Sequence, residues 1–164
     1  MNDSVIRLEL DRVDLWILAR LQEDASLTNQ ALAASSHVSP ATCLRRVKRL
    51  VDSGVISRRV ALLNPALIGA PMEVISEITL DRQGAEHLLA FEARVVAHAA
   101  VRQCYRVSPG PDFVVVAAVR DMQAWSAVVG SLLTQDANVR NVKSFFCVKR
   151  AKFDTAYELP PASP

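Results

Sequence analysis

Cysteine and histidine are scarce in this 164-residue sequence, three of each, and neither set is spaced for chemistry. Cys43, Cys104 and Cys147 contain no C-x-x-C pair and have no histidine at zinc-finger spacing, so a structural zinc site and a dithiol redox pair are excluded. Their apolar surroundings mark them as small packed thiols. His37, His87 and His98 are scattered through helical or helix-end contexts, and no metal site or catalytic imidazole is expected of them. There is no Gly-rich phosphate loop, no G-x-S-x-G and no His-Glu-x-x-His, which leaves no expected catalytic residue and no cofactor. No apolar run reaches the roughly 18 residues of a membrane span. The start, Met1-Asn2-Asp3-Ser4, lacks the basic region and apolar block of a secretory leader. The expectation is a soluble cytoplasmic protein that is not an enzyme and has no membrane partner.

What the sequence does have is an uneven charge distribution. The net charge is only +2, yet Arg45, Arg46, Lys48, Arg49, Arg58 and Arg59 fall within fifteen residues that contain one acid, Asp52. From Ala61 onward ten basic residues balance ten acidic ones. A local basic cluster on a near-neutral chain points to one anion-binding face rather than diffuse binding.

The cluster sits in a three-helix pattern. Asp11 can cap a first helix, with Asp14 as a second acid in its first turn and Val13, Ile17, Leu18 and Leu21 at helical spacing. Thr28 caps a short second helix that ends near Ser36, with Leu27 placed to staple onto Leu32. Ser39-Pro40 opens a third helix, because serine favours the cap and proline costs no hydrogen bond in the first turn; Gly54 ends it. Cys43, Leu44, Val47, Leu50 and Val51 share one face of this helix, while Thr42, Arg45, Arg46 and Arg49 share the other, flanked by Ser39. Ile56–Leu63 reads as a short strand pair, a wing.

Two prolines and Gly69 place a linker over residues 64–71, giving domains at 1–63 and 72–152 and a loose tail over 153–164. The second domain reads as strand 72–80, helix 84–99, strands 101–107 and 113–120, a helix carrying Met122, Trp125, Val128, Val129, Leu132 and Leu133, and strand 139–149. That βαββαβ order is the ferredoxin-like arrangement, so the fold class is α+β. Along 113–119, and again at Phe145–Val148, both strand faces are apolar. Two helices can cover only one face, so the other is expected to meet the sheet of an identical subunit.

A basic third helix with a wing is suited to double-stranded DNA. Its N-terminal half would enter the major groove, with Arg45 and Arg46 chelating guanine edges and Thr42 touching a base or its methyl. Ser39, Lys48, Arg49, Arg58 and Arg59 are assigned to the phosphate backbone.

The stretches Leu10-Asp11-Arg12-Val13-Asp14-Leu15-Trp16-Ile17-Leu18, Ser39-Pro40-Ala41-Thr42-Cys43-Leu44-Arg45-Arg46-Val47, Gly54-Val55-Ile56 and Leu62-Leu63-Asn64-Pro65 resemble the leucine-responsive/AsnC family of transcription regulators, over about Leu10 to Leu159. The resemblance implies dimers joined through the αβ domains, often built into octamers, that bind promoters and respond to amino acids or related metabolites. Where that family has a Gly-Asp-x-Asp-Tyr type turn at its effector site, this chain has Ser108-Pro109-Gly110-Pro111-Asp112-Phe113, keeping the acid and an aromatic but displacing the glycine. Val142 and Ser144 replace threonines of the same pocket. The implied effector residues are Ser108, Pro109, Gly110, Asp112, Phe113 and Ser144. Two other readings stay open: a siroheme-decarboxylase-like subunit, disfavoured because Gln103 replaces a histidine on the second strand, and an architectural chromatin protein with no effector.

Overall fold

Asp11 starts the first helix for a local reason. Its carboxylate accepts from the amides of Val13 and Asp14, both at 2.9 Å, and the Asp14 carboxylate turns back to accept from the Asp11 amide at 3.2 Å. The reciprocal pair satisfies amides that a helix N-terminus leaves without partners. Helix α1 then runs Arg12–Glu23 in the computed structural model, which describes residues 9–134 and 138–161. Thr28 caps α2 (Asn29–Ser35) and Ser39 caps α3 (Pro40–Asp52), each through a side-chain oxygen. The turn between them is tight: His37 adopts φ 55°, and the Val38 amide donates to Ala33 O at 3.2 Å. Ile17, Leu18, Leu32, Ala33, Cys43 and Leu50 form the buried core of this unit.

Two expectations for the first unit need correction. Leu44 and Val51, assigned to the packed face of α3, are 59% and 45% exposed. Helix α1 and the seven-residue α2 cover only the Cys43–Leu50 line of that stripe. The expected strand pair over 56–63 is not formed either. After the Ile56 amide donates to Leu50 O at 2.9 Å, residues 57–64 carry no assigned strand. A tight two-residue hairpin needs a turn with positive φ, for which glycine or asparagine is suited, and Ile56–Leu63 contains neither. The segment expected as the wing is thus an irregular arm bearing Arg58 and Arg59.

The tail is also not loose where it is described. From Lys152 the chain clusters with the first unit, and the division between the units falls after Leu62. Tyr157 donates its amide to Gln22 Oε1 at 2.7 Å and accepts from Gln22 Nε2 at 3.2 Å, and Leu159 packs against the core. A glutamine amide offers the same donor and acceptor as a peptide unit, so it holds this segment by both groups of one residue. Residues 162–164 of the expected tail lie outside the described residues.

The second unit, Leu63–Ala151, contains β1 (Met72–Leu80), α4 (Ala85–Val96), β2 (Val101–Arg106), β3 (Phe113–Val119), α5 (Met122–Val128, continued by a π-helical segment Val129–Thr134) and β4 (Val139–Phe146). The sheet order is β2-β3-β1-β4, every pair antiparallel. Alternation decides the faces. Val74, Ile78, Leu80, Phe113, Val115, Ala117 and Val119 point under the helices onto Phe91, Val95, Trp125, Val128, Leu132 and Leu133. The opposite face carries Ile75, Val116 and Phe145 in one register row, with Tyr105 and Val114 beside it. Among the described residues no helix of this unit covers it, and Ile75 and Phe145 are exposed.

Candidate nucleic-acid interface and effector region

The α3 cap orders the start of the basic face. Ser39 Oγ accepts from the Thr42 amide at 3.2 Å and donates to Thr42 Oγ1 at 2.9 Å, while Asn29 Nδ2 reaches Pro40 O at 2.8 Å and ties α2 to the same end. Arg45, Lys48, Arg58 and Arg59 are exposed and make no ion pair among the described residues. On α3 and the arm after it, these cations are available to an anionic partner.

Arg46 and Arg49 are placed differently. Arg46 Nη1 donates to Asp11 Oδ2 at 2.7 Å and to Asp14 Oδ1 at 2.9 Å, with its side chain only 23% exposed. Arg49 Nη2 grips the other oxygen of Asp14, which is completely buried. The Asp14 amide, with help from Arg46 and the Val13 amide, holds the Asp11 carboxyl below the usual carboxylate range. Its hydrogen bonds to the Asp11 and Asp14 carboxylates raise the Arg46 pKa further above its ordinary value. Base reading by Arg46, expected from the helix face alone, therefore competes with a strong internal demand, because a carboxylate taken out of water needs its cationic partners. By sequence, Asp11 and Asp14 are recognisable only as acids of a helix start. Their pairing across more than thirty residues leaves no signal in local spacing.

Burial pushes the Cys43 and Cys104 thiols up, which disfavours the thiolate. Among the described residues no cluster of three potential metal ligands occurs and no helix is long and apolar enough to cross a membrane.

In the second unit, the turn after β2 leaves Ser108, Pro109 and Gly110 exposed; Gly110 has φ 122°, a conformation that requires glycine. Asp112 brackets the sheet end: Oδ2 accepts from the Leu80 amide at 2.7 Å, and its amide donates to Ile78 O at 2.9 Å. Phe113, expected to wall a ligand, is fully buried with its ring centroid 4.8 Å from that of Phe91. Side-chain alternation along β3 turns it into the helix-covered core. Ser144 lies two strands away and spends its hydroxyl on buried Ser76 at 3.0 Å. From strand spacing its backbone is about 12 Å from that of Phe113. A single chain thus does not gather the six expected effector residues into one pocket.

A capped helix-turn-helix with free arginines, joined to a ferredoxin-like sheet with one open apolar face, defines a DNA-binding regulator with an appended sensor or assembly domain. The comparisons agree. Residues 10–57 match a winged helix-turn-helix DNA-binding model, and residues 73–157 match the Lrp/AsnC ligand binding domain. The leucine-responsive regulatory protein of Rhizobium meliloti is 34% identical over 90% of this chain and 95% of its own, and that of Escherichia coli K12 is 33% identical over 88% of each. Two solved structures are similar with TM-score 0.85. One is a transcriptional regulator from Neisseria meningitidis in complex with L-Met, 31% identical over 91% of this chain and 96% of that one. The other is an AsnC family regulator from Agrobacterium tumefaciens, 33% identical over 92% and 97%. The chain belongs to the Lrp/AsnC family of transcriptional regulators.

Proposed function

We propose that this regulator reads promoter DNA sequence-specifically with α3 and answers to an amino acid or related metabolite bound by its αβ unit. The observation that carries the DNA half is the free, exposed Arg45 on a helix whose N-terminal end is fixed by the Ser39–Thr42 cap. A guanidinium there can chelate a guanine edge, and Thr42 one turn earlier can meet a base or its methyl. Ser39, Lys48, Arg58 and Arg59 hold phosphates, and Arg49, 44% exposed at its side chain, adds to them from the edge of its ion pair. Arg46 serves mainly to join α3 to α1.

The effector half is supported by the match to a ligand binding domain, by relatives named leucine-responsive and by the L-Met complex of a similar structure. Within the turn 108–113, Asp112 is the residue suited to an ammonium group, through the carboxylate oxygen that Leu80 leaves unused. Because the remaining expected residues are dispersed in one chain, the site is completed by a second copy, which also covers the open sheet face. The protein acts in the cytoplasm as a homo-oligomer.

Selection from a random duplex pool, followed by footprinting with and without each amino acid, tests this reading. The expected result is one enriched motif with two related half-sites, whose occupancy changes with at least one amino acid. Enrichment of no motif at low salt overturns the DNA half; a motif indifferent to every amino acid overturns the effector half.

A further inference from the structure

The basic face of α3 has two carboxylates built into it. Arg45, Arg46, Arg49 and Asp11 line one concavity of about 240 Å³, and Asp14 lies fully buried with both oxygens taken by arginines. Of the four cations on the helix, two are tied to α1 and two, Arg45 and Lys48, are free. A surface built only to attract a phosphate backbone gains nothing from such ties, since each tied arginine contributes less to counterion release. The arrangement also has a cost. Arg46 Nε is buried without a hydrogen-bond partner, so the side chain is held in place against that cost by its two carboxylates.

We propose that Asp14 is a positioning residue for sequence readout: it clamps Arg46 and Arg49 toward α1, leaves Arg45 as the unhindered guanidinium of the face, and withholds charge that would otherwise bind any duplex. The proposal rests on the reading of α3 as the DNA-reading helix. Specificity is a difference between two affinities, and lowering the sequence-independent one widens it as effectively as adding a base contact. Asp11 assists from the exposed side by holding the same nitrogen of Arg46.

The test compares the full chain with Asp14→Asn and Asp11→Asn. Both variants keep side-chain size and an oxygen for the helix cap, and asparagine caps as well as aspartate. Affinity is measured over a salt series on a selected duplex and on a scrambled duplex of equal length. With Asp14→Asn, each arginine released steepens the salt dependence on the scrambled duplex by about 0.9. Binding to the scrambled duplex tightens, and preference for the selected one falls by about tenfold, the order of one blurred base contact. Asp11→Asn moves both readouts the same way by a smaller amount. Because Asp11 is exposed, that variant decides the matter if Asp14→Asn does not fold. Folded variants that keep the parent's salt slope and preference overturn the proposal, as do variants that lose affinity for both duplexes with a shallower slope. A parent that does not distinguish the two duplexes overturns the reading of α3 itself, and with it the proposal.

Discussion

Replacing Ile75 and Phe145 by threonine should take the assembled protein apart without unfolding it. The two residues are register partners on the open face of the sheet, with Val116 on the far side of Ile75. They are 38% and 42% exposed in the single chain. Full burial of such a side chain contributes about 1.5–3 kcal/mol, so covering the exposed two-fifths contributes about 0.6–1.2 kcal/mol each. A two-fold pairing buries four of them, for a total of about 2.5–5 kcal/mol, or roughly two to three and a half orders of magnitude in Kd. Threonine keeps the strand preference and gives up most of the apolar area, so the monomer's sheet persists. Sedimentation or light scattering over a concentration series, with far-UV circular dichroism as the fold check, reads the outcome. A parent that is monomeric at tens of micromolar, or a double variant whose Kd moves by less than about threefold, refutes the pairing through this face.

The two neighbouring arginines should separate cleanly. Arg45→Ala leaves the unfolding midpoint within about 0.5 kcal/mol and relaxes base preference by about 1–3 kcal/mol at one position of each half-site. Arg46→Ala instead destabilises the first unit by about 2 kcal/mol, below the range for a fully buried pair because Asp11 is half exposed and Asp14 keeps Arg49; an unchanged midpoint in denaturant counts against it. Since the Asp11 pKa is lowered in the folded chain, its contribution is fully present above the ordinary value of 3.8 and is lost as pH falls below it. Acid unfolding of Asp11→Asn should therefore be less steep over that window than that of the parent, and superimposable curves would contradict this. Asp112→Ala leaves the Leu80 amide without its acceptor at a cost of about 1–2 kcal/mol, and abolishes any thermal stabilisation by amino acids. A ligand that raises the melting point of both proteins equally shows Asp112 to be a strand-end bracket and nothing more.

The local signals served well wherever a short stretch of chain decides its own conformation. Asp11, Thr28 and Ser39 were legible as caps, because capping is a contact between residues two or three apart. The βαββαβ order followed from alternation and helical spacing, and the doubly apolar 113–119 strand gave the sheet its second apolar face. Where the pattern misled, it was silent about partners. The stripe from Cys43 to Val51 is apolar throughout, yet only the part that α1 and α2 reach is buried. The arm after Gly54 has strand-like composition but no residue to turn it back on itself.

By itself, the sequence determined the helix starts, the order of the two units, the basic face of α3 and the second apolar face of the sheet, all consequences of short-range sterics and of alternation along the chain. Only the tertiary structure decided which arginines of that face are free. Arg45, Arg46 and Arg49 are indistinguishable by spacing, but Asp14 is buried more than thirty residues away in sequence and beside only two of them in space. The same holds for Phe113, which the helix-covered core claims, and for Tyr157, which Gln22 holds from 135 residues away. A charge taken out of water must find its counterion wherever the packed chain brings one, and that choice is made by the fold rather than by the neighbouring residues.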